Sequence, residues 1–88
     1  MSVVGGMAEV RRRHLAALAR EVEARGLAWS FAGPGDSLLA VYSPRGRRRL
    51  MVVATPVGDG WSYLWPDGGM ADVTDLTIAA DQLARLLT

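Results

Sequence analysis

The side chains that could do chemistry in this 88-residue chain are one histidine, several aspartates close to glycines and a cluster of arginines. Cysteine is absent, so a thiolate nucleophile, a thiolate metal site and a disulfide scaffold are all excluded. A catalytic histidine needs an activated nucleophile and an orienting carboxylate, and no serine here lies in a Gly-x-Ser-x-Gly elbow. A single histidine cannot complete a metal site without further ligands. The sequence therefore predicts a non-enzymatic protein that holds neither a metal nor a cofactor.

The only histidine, His14, falls on the apolar side of the first predicted helix, which favours a structural or interfacial role. An enzyme would instead require a pocket around His14 with a carboxylate such as Glu21 or Asp75 within hydrogen-bond reach. The aspartates near glycines match no calcium-binding loop, and their positions are typical of turns. These aspartates are Asp59, Asp67, Asp72 and Asp75.

The densest charge cluster comprises Arg45, Arg47, Arg48 and Arg49, at the predicted tip of a hairpin. Guanidinium groups fit phosphates, and nearby aromatic side chains could stack on bases, so the cluster could bind phosphate or nucleic acid. The alternative, which we favour, is a solvated turn whose arginines protect a strand end from edge pairing. The net charge of only +1 gives no overall field that would attract nucleic acid or a membrane surface.

Three aromatic residues alternate along one predicted strand: Trp61, Tyr63 and Trp65. Because successive side chains of a strand point to opposite faces, all three share one face. Such a ladder could form a ligand platform or an interface hot spot. The alternative, which we favour for the ladder itself, is core beneath the helices, where cross-strand aromatic residues stabilise a sheet.

The elements that position these residues are read from periodicity and from turn residues. Helical spacing of apolar residues predicts a helix over 7–25, capped by Gly26, and a second helix that ends near Leu87. Strands are predicted over 27–32, 38–42, 50–55 and 61–65, with glycine, proline and aspartate in the turns between them. Short connections require antiparallel pairing.

The element order α-β-β-β-β-α predicts an α+β fold, a two-layer sandwich in which both helices cover one face of a four-stranded antiparallel meander. Residues 1–6 are predicted to form a flexible leader, and residues 7–88 a single domain. Residues 66–69 are expected to break the sheet before the last helix.

The second and third strands are apolar on both faces, although two helices can cover only one. An open apolar face usually marks a contact surface, so we expect a homodimer or another protein partner laid on the sheet. The residues predicted to contact the partner are Tyr42, Trp61, Tyr63 and Trp65, with Arg47 and Arg48 as a polar rim. The alternative is a small-molecule or nucleic-acid binder that uses the aromatic ladder and the arginine-rich tip.

The composition favours a cytoplasmic location, because the first six residues lack the features of a signal peptide and no apolar run approaches the roughly 20 residues that span a bilayer. Nearly all basic residues are arginine, a bias typical of GC-rich genomes.

Three segments resemble a group of small uncharacterised actinobacterial proteins with a tryptophan-rich last strand and a short terminal helix. They are the strand end at Leu39–Pro44, the Trp61–Trp65 strand with its Pro66-Asp67-Gly68 break, and the helix at Ala79–Leu87. The resemblance covers a little over half of the chain and implies a bacterial cytoplasmic protein without catalytic residues. The helix–strands–helix core is also similar to the double-stranded-RNA-binding domain, but that family contacts phosphates through a lysine-rich helix start, and residues 72–81 contain no basic side chain.

Overall fold

The computed structural model describes the backbone of residues 3–88 and the side chains of residues 6–88. Two helices flank one five-stranded sheet in which every neighbouring pair is antiparallel, in the order β1-β2-β3-β4-β5. The elements are α1 (Val3–Ala24), β1 (Ala28–Ala32), β2 (Leu38–Tyr42), β3 (Arg49–Val57), β4 (Gly60–Trp65), β5 (Gly69–Asp72) and α2 (Leu76–Leu87). The predicted α+β fold with terminal helices and an antiparallel meander is therefore confirmed, with five strands in place of four.

The fifth strand forms where the sequence predicted a break in the sheet. Asp67 and Gly68 adopt positive φ angles of 68° and 80°, which turn the chain back so that Trp65 pairs with Gly69. The strand Gly69–Asp72 is short and consists mostly of residues that are uncommon in strands. Its pairing with β4 holds it in place, and local propensity gave no sign of it.

Helix α1 starts earlier than expected, at Val3, so residues 3–6 of the predicted leader are helical, and residues 1 and 2 lie outside the described residues. Its end follows the prediction at Gly26, which has a φ of 84°. The Gly26 N–H donates to the Glu23 carbonyl at 3.0 Å, and the Leu27 N–H donates to the Val22 carbonyl at 3.1 Å. This is a Schellman cap, and it sends Leu27 into the core, where it is 2% exposed.

Both helices pack on the same face of the sheet and form one core with it. Buried side chains alternate along β3, as expected for a sheet with one covered face, whereas β2 and β4 also bury the small residues Ala40 and Ser62 on the opposite face. From the sheet, the core includes Leu39, Val41, Val52, Ala54, Tyr63, Trp65 and Ala71. From the helices, it includes Leu15, Leu18, Val22, Ala79, Ala80, Leu83 and Leu87. The two-layer arrangement matches the prediction.

Candidate functional site

The face of the sheet opposite the helices, called the open face below, has no covering element among residues 3–88. Its side chains follow from the strand register, since residues directly opposite one another on paired strands share a face. They are Ala28, Ser30, Ala32, Leu38, Ala40, Tyr42, Arg49, Met51, Val53, Thr55, Val57, Ser62, Leu64, Met70 and Asp72. Most of them are apolar, so this face has fewer polar residues than a solvated sheet normally presents.

One line of apolar side chains, here the apolar row, crosses all five strands of the open face, at the ends of β1 and β2 and at the middle of β3. Ala32 pairs with Leu38, Val53 pairs with Leu64, and Leu64 pairs with Met70. Leu38 and Val53 lie one residue beyond the Leu39–Val52 pair in the register of β2 with β3, so they are opposite each other. They connect the two halves of the row. At about 4.8 Å between strands, the row is about 19 Å long. Met70 is 56% exposed, and the other four members are partly buried.

Charge is distributed unequally along the strands of the open face. Arg49 lies at one end, opposite Tyr42, and Asp72 lies toward the other end, opposite Ser62. The backbone N–H and the hydroxyl of Thr74 both donate hydrogen bonds to the Asp72 carboxylate. These bonds, the backbone one most, lower the pKa of Asp72, so its side chain stays anionic to lower pH. The face is therefore positive at one end, apolar in the middle and negative at the other end.

The aromatic ladder does not lie on the open face. Tyr63 and Trp65 are 0% and 6% exposed and belong to the core beneath the helices. The alternative that the sequence left open, a core ladder, is therefore the observed one, and these two residues are not accessible to a partner. The sequence could not show which side of the sheet carries the ladder, because β2 and β3 are apolar on both sides. Tyr42 does lie on the open face, half-buried, with its hydroxyl 3.2 Å from that of Ser30.

Trp61 lies on the helix-bearing side and is held by α1. Its ring lies 5.4 Å from the His14 ring, and the Arg11 guanidinium lies 5.5 Å from its centroid. Arg11 also donates through Nε to the Ala54 carbonyl at 3.0 Å, at a point where β3 extends beyond β2. Arg11 thus covers an otherwise free strand edge, and the cluster fastens α1 to the sheet.

His14 is partly buried, and its ring packs against Trp61. Burial, and secondarily the charge of Arg13, lower the pKa of His14 below its ordinary value. Glu21, one carboxylate that an enzymatic His14 could use, instead forms an ion pair with Arg25 at 2.9 Å. Within residues 6–88 no hydrogen bond joins the His14 ring to a carboxylate. The same residues contain no group of three or more histidine, aspartate or glutamate side chains placed to hold a metal.

The predicted polar rim, Arg47 and Arg48, is exposed but faces away from the open face. Together with Arg45 these residues line a groove against Leu87 and Thr88 at the end of α2. The arginine that lies on the open face is Arg49, which is not among the residues predicted to contact a partner.

The members of the apolar row are not among the contact residues that the sequence predicts. The sequence feature that indicates them is the apolar pattern on both faces of β2 and β3, which includes Leu38 and Val53. Leu64 alternates with the aromatic residues of β4 that were predicted as contacts, and Met70 belongs to the strand that was not predicted.

No helix in the described part of the chain is long and apolar enough to cross a membrane. Comparisons with models of protein families, with curated proteins and with solved structures found no match. The resemblance to small actinobacterial proteins stays a prediction, and the function has to be inferred from this chain's own surface.

Proposed function

We propose that this chain is a non-enzymatic association domain that forms a homodimer through the open face of its sheet. The observation that carries the proposal is the apolar row, which crosses the whole sheet without a covering element in residues 3–88. Contiguous apolar surface patches of a few hundred Å² are often functional contact sites. The arginine-biased, cysteine-free composition supports a bacterial cytoplasmic setting for the dimer.

A second copy is the partner that this surface fits best, because the open face is complementary to itself. A two-fold axis that lies in the interface along the apolar row lays each row on its counterpart. The same axis brings the end with Arg49 over the end of the second copy that carries Asp72 and Asp59. A two-fold axis along the strands would instead bring like charges together. Two sheets packed in this way would cross at about −30°, as in β-sandwiches.

The size of the open face limits the affinity of the dimer. Five strands about 4.8 Å apart and about five residues long give a footprint of roughly 24 Å by 17 Å, or about 400 Å². Stable interfaces bury about 800 Å² on each partner. The dimer is therefore expected to be weak, with a dissociation constant on the order of micromolar.

The direct test is molar mass by light scattering behind gel filtration, over about 5 µM to about 500 µM protein. The mass of the unmodified chain is expected to rise from 9.5 kDa toward twice that value as concentration increases. Leu64→Lys puts a charge within the apolar row and should give a monomer throughout, because the charge would lose its hydration in the interface. Leu64 is half-exposed, so the variant is expected to keep its fold, which circular dichroism checks.

Leu86→Lys is the matched control, since Leu86 is a 46% exposed leucine on α2, away from the open face. It should associate like the unmodified chain. A monomer at every concentration, or equal loss of association in both variants, would contradict the proposed homodimer. A different protein retained on the open face of a monomeric chain would replace the second copy as partner.

The alternative function, ligand binding through the aromatic ladder and the arginine-rich tip, loses most of its ladder because Tyr63 and Trp65 are buried. Trp61 and the arginine-rich loop remain available for it. Added salt separates the two functions, since binding to phosphates weakens steeply with salt and apolar association does not.

A further inference from the structure

A groove of about 410 Å³ lies between the β2–β3 loop and the last turn of α2. Arg45, Arg47 and Arg48 line one side of it, and Leu87 and Thr88 line the other. Its volume falls in the range of small-ligand sites, roughly 300–1,000 Å³. The groove is separate from the open face, so a ligand in it does not depend on the proposed dimer.

The loop that carries these arginines is held by hydrogen bonds around a buried serine. The Ser43 N–H donates to the Arg48 carbonyl at 2.9 Å, and the Gly46 N–H donates to the Ser43 carbonyl at 2.8 Å. The Arg48 N–H also donates to the Ser43 hydroxyl at 3.1 Å, and Ser43 is only 7% exposed. The backbone positions from which the guanidinium groups extend are therefore fixed before any ligand arrives, which lowers the entropic cost of binding.

The three guanidinium groups have no partner of opposite charge in the described part of the chain, where the ion pairs are those of Arg25. A structural role for these arginines would be to stabilise the C-terminal end of α2, where the free carbonyl groups carry partial negative charge. Arg85 already occupies the last turn of that helix. Three further positive charges beside one groove repel each other, and a shared anion would remove that repulsion.

We propose that this groove binds a phosphorylated small molecule through a diphosphate or longer phosphate chain. Guanidinium groups bind phosphate oxygens with two parallel hydrogen bonds, and several adjacent arginines match several adjacent phosphates. A nucleic acid fits less well, because it needs a longer basic track and aromatic platforms for its bases. The positive cluster is confined to one loop of a chain with net charge +1, and no aromatic side chain lines the groove.

The test is calorimetric titration of the full chain with inorganic pyrophosphate, from about 10 µM to about 10 mM, at low salt and again at about 150 mM salt. Saturable binding to one site per chain is expected, weaker at the higher salt. Arg47→Gln/Arg48→Gln should weaken it at least about tenfold, because each lost arginine removes charge-assisted hydrogen bonds. These side chains are exposed, and a thermal melt without ligand checks that the variant is folded.

Arg13→Gln/Arg20→Gln is the matched control, because it removes the same charge from exposed positions on α1. It should bind pyrophosphate within about twofold of the unmodified chain. Absence of saturable binding, or equal weakening in both double variants, would overturn the proposal, the latter by showing dependence on net charge alone. Tighter binding of a single-stranded oligonucleotide than of pyrophosphate would overturn it in favour of nucleic acid.

Discussion

Replacing Tyr63 with alanine is expected to lower the free energy of unfolding by about 3–5 kcal/mol, the usual cost of removing a large aromatic side chain from a core. A domain of this length has a total stability of roughly 4–13 kcal/mol. The variant should therefore lose a large share of its stability, and at the lower end of this range it would be largely unfolded. Urea denaturation followed by circular dichroism measures the loss.

The large effect follows from the position of Tyr63 in the core. The ring is fully buried, and its two cross-strand neighbours are Ala54 and Ala71. Alanine side chains cannot expand to fill the space that the ring leaves, so most of the cavity would remain. The hydroxyl also donates to the His14 carbonyl and so connects the sheet to α1.

Tyr63→Phe is the control that separates the ring from the hydroxyl. It keeps the packing and removes one hydrogen bond, which should cost about 1 kcal/mol. If both variants were as stable as the unmodified chain, Tyr63 could not occupy the centre of the core. If both were less stable than the unmodified chain by the same amount, the hydrogen bond rather than the ring would be the main contribution.

A comparison of the unmodified chain with Tyr63→Phe at alkaline pH gives a second test of the buried position of Tyr63. Burial raises the pKa of Tyr63 from 10.0 to about 12. Because the folded pKa lies above the unfolded one, the protonated phenol favours the folded state, and its full contribution is present below about pH 10. That contribution is lost as the pH rises from about 10 through about 12. The unmodified chain should therefore lose stability over this interval more steeply than Tyr63→Phe.

The sequence was a good guide to the elements whose signals are local. The apolar stripe of α1, the glycine at its end and the turn residues between strands each correspond to an observed feature. The strand β5 has no such signal, since a run of glycine, methionine, alanine and aspartate is as typical of a loop. It exists because the turn at Asp67 and Gly68 directs it along β4 and because Trp65 covers Gly69.

The candidate sites depend on tertiary placement, and the sequence predicts them only in part. A period of two indicates that Trp61, Tyr63 and Trp65 share a face, but it does not say on which side the helices pack. The apolar pattern of β2 and β3 did predict an uncovered apolar face. The groove brings together Ser43 and Leu87, two residues far apart in the chain, and no local pattern contains that information.

Gly69→Ala is the second substitution for which a large effect is expected. A Cβ atom at Gly69 would lie 1.8 Å from Nε1 of Trp65 and 2.1 Å from its Cδ1. The indole is 6% exposed and packed in the core, so it cannot move aside freely. Overpacking of this kind costs about 1–3 kcal/mol. The loss is measured by urea denaturation, with near-ultraviolet circular dichroism to detect a displaced tryptophan.

Gly60→Ala is the matched control, because a Cβ there meets no atom within 4 Å and the glycine has no positive φ. Its stability should stay within about 0.5 kcal/mol of the unmodified chain. Equal stability of the two alanine variants would mean that Trp65 does not cover Gly69.

A double-mutant cycle with Trp65→Leu tests the contact between Gly69 and Trp65 directly. On its own, Trp65→Leu should be destabilising, because it removes most of a buried indole. In the Gly69→Ala background it should cost less, since the smaller side chain leaves room for the added methyl group. The two changes are therefore expected to be less than additive, by about 0.5–3 kcal/mol. Strict additivity would mean that the two residues do not touch, and that β5 is held against β4 by its backbone pairing alone.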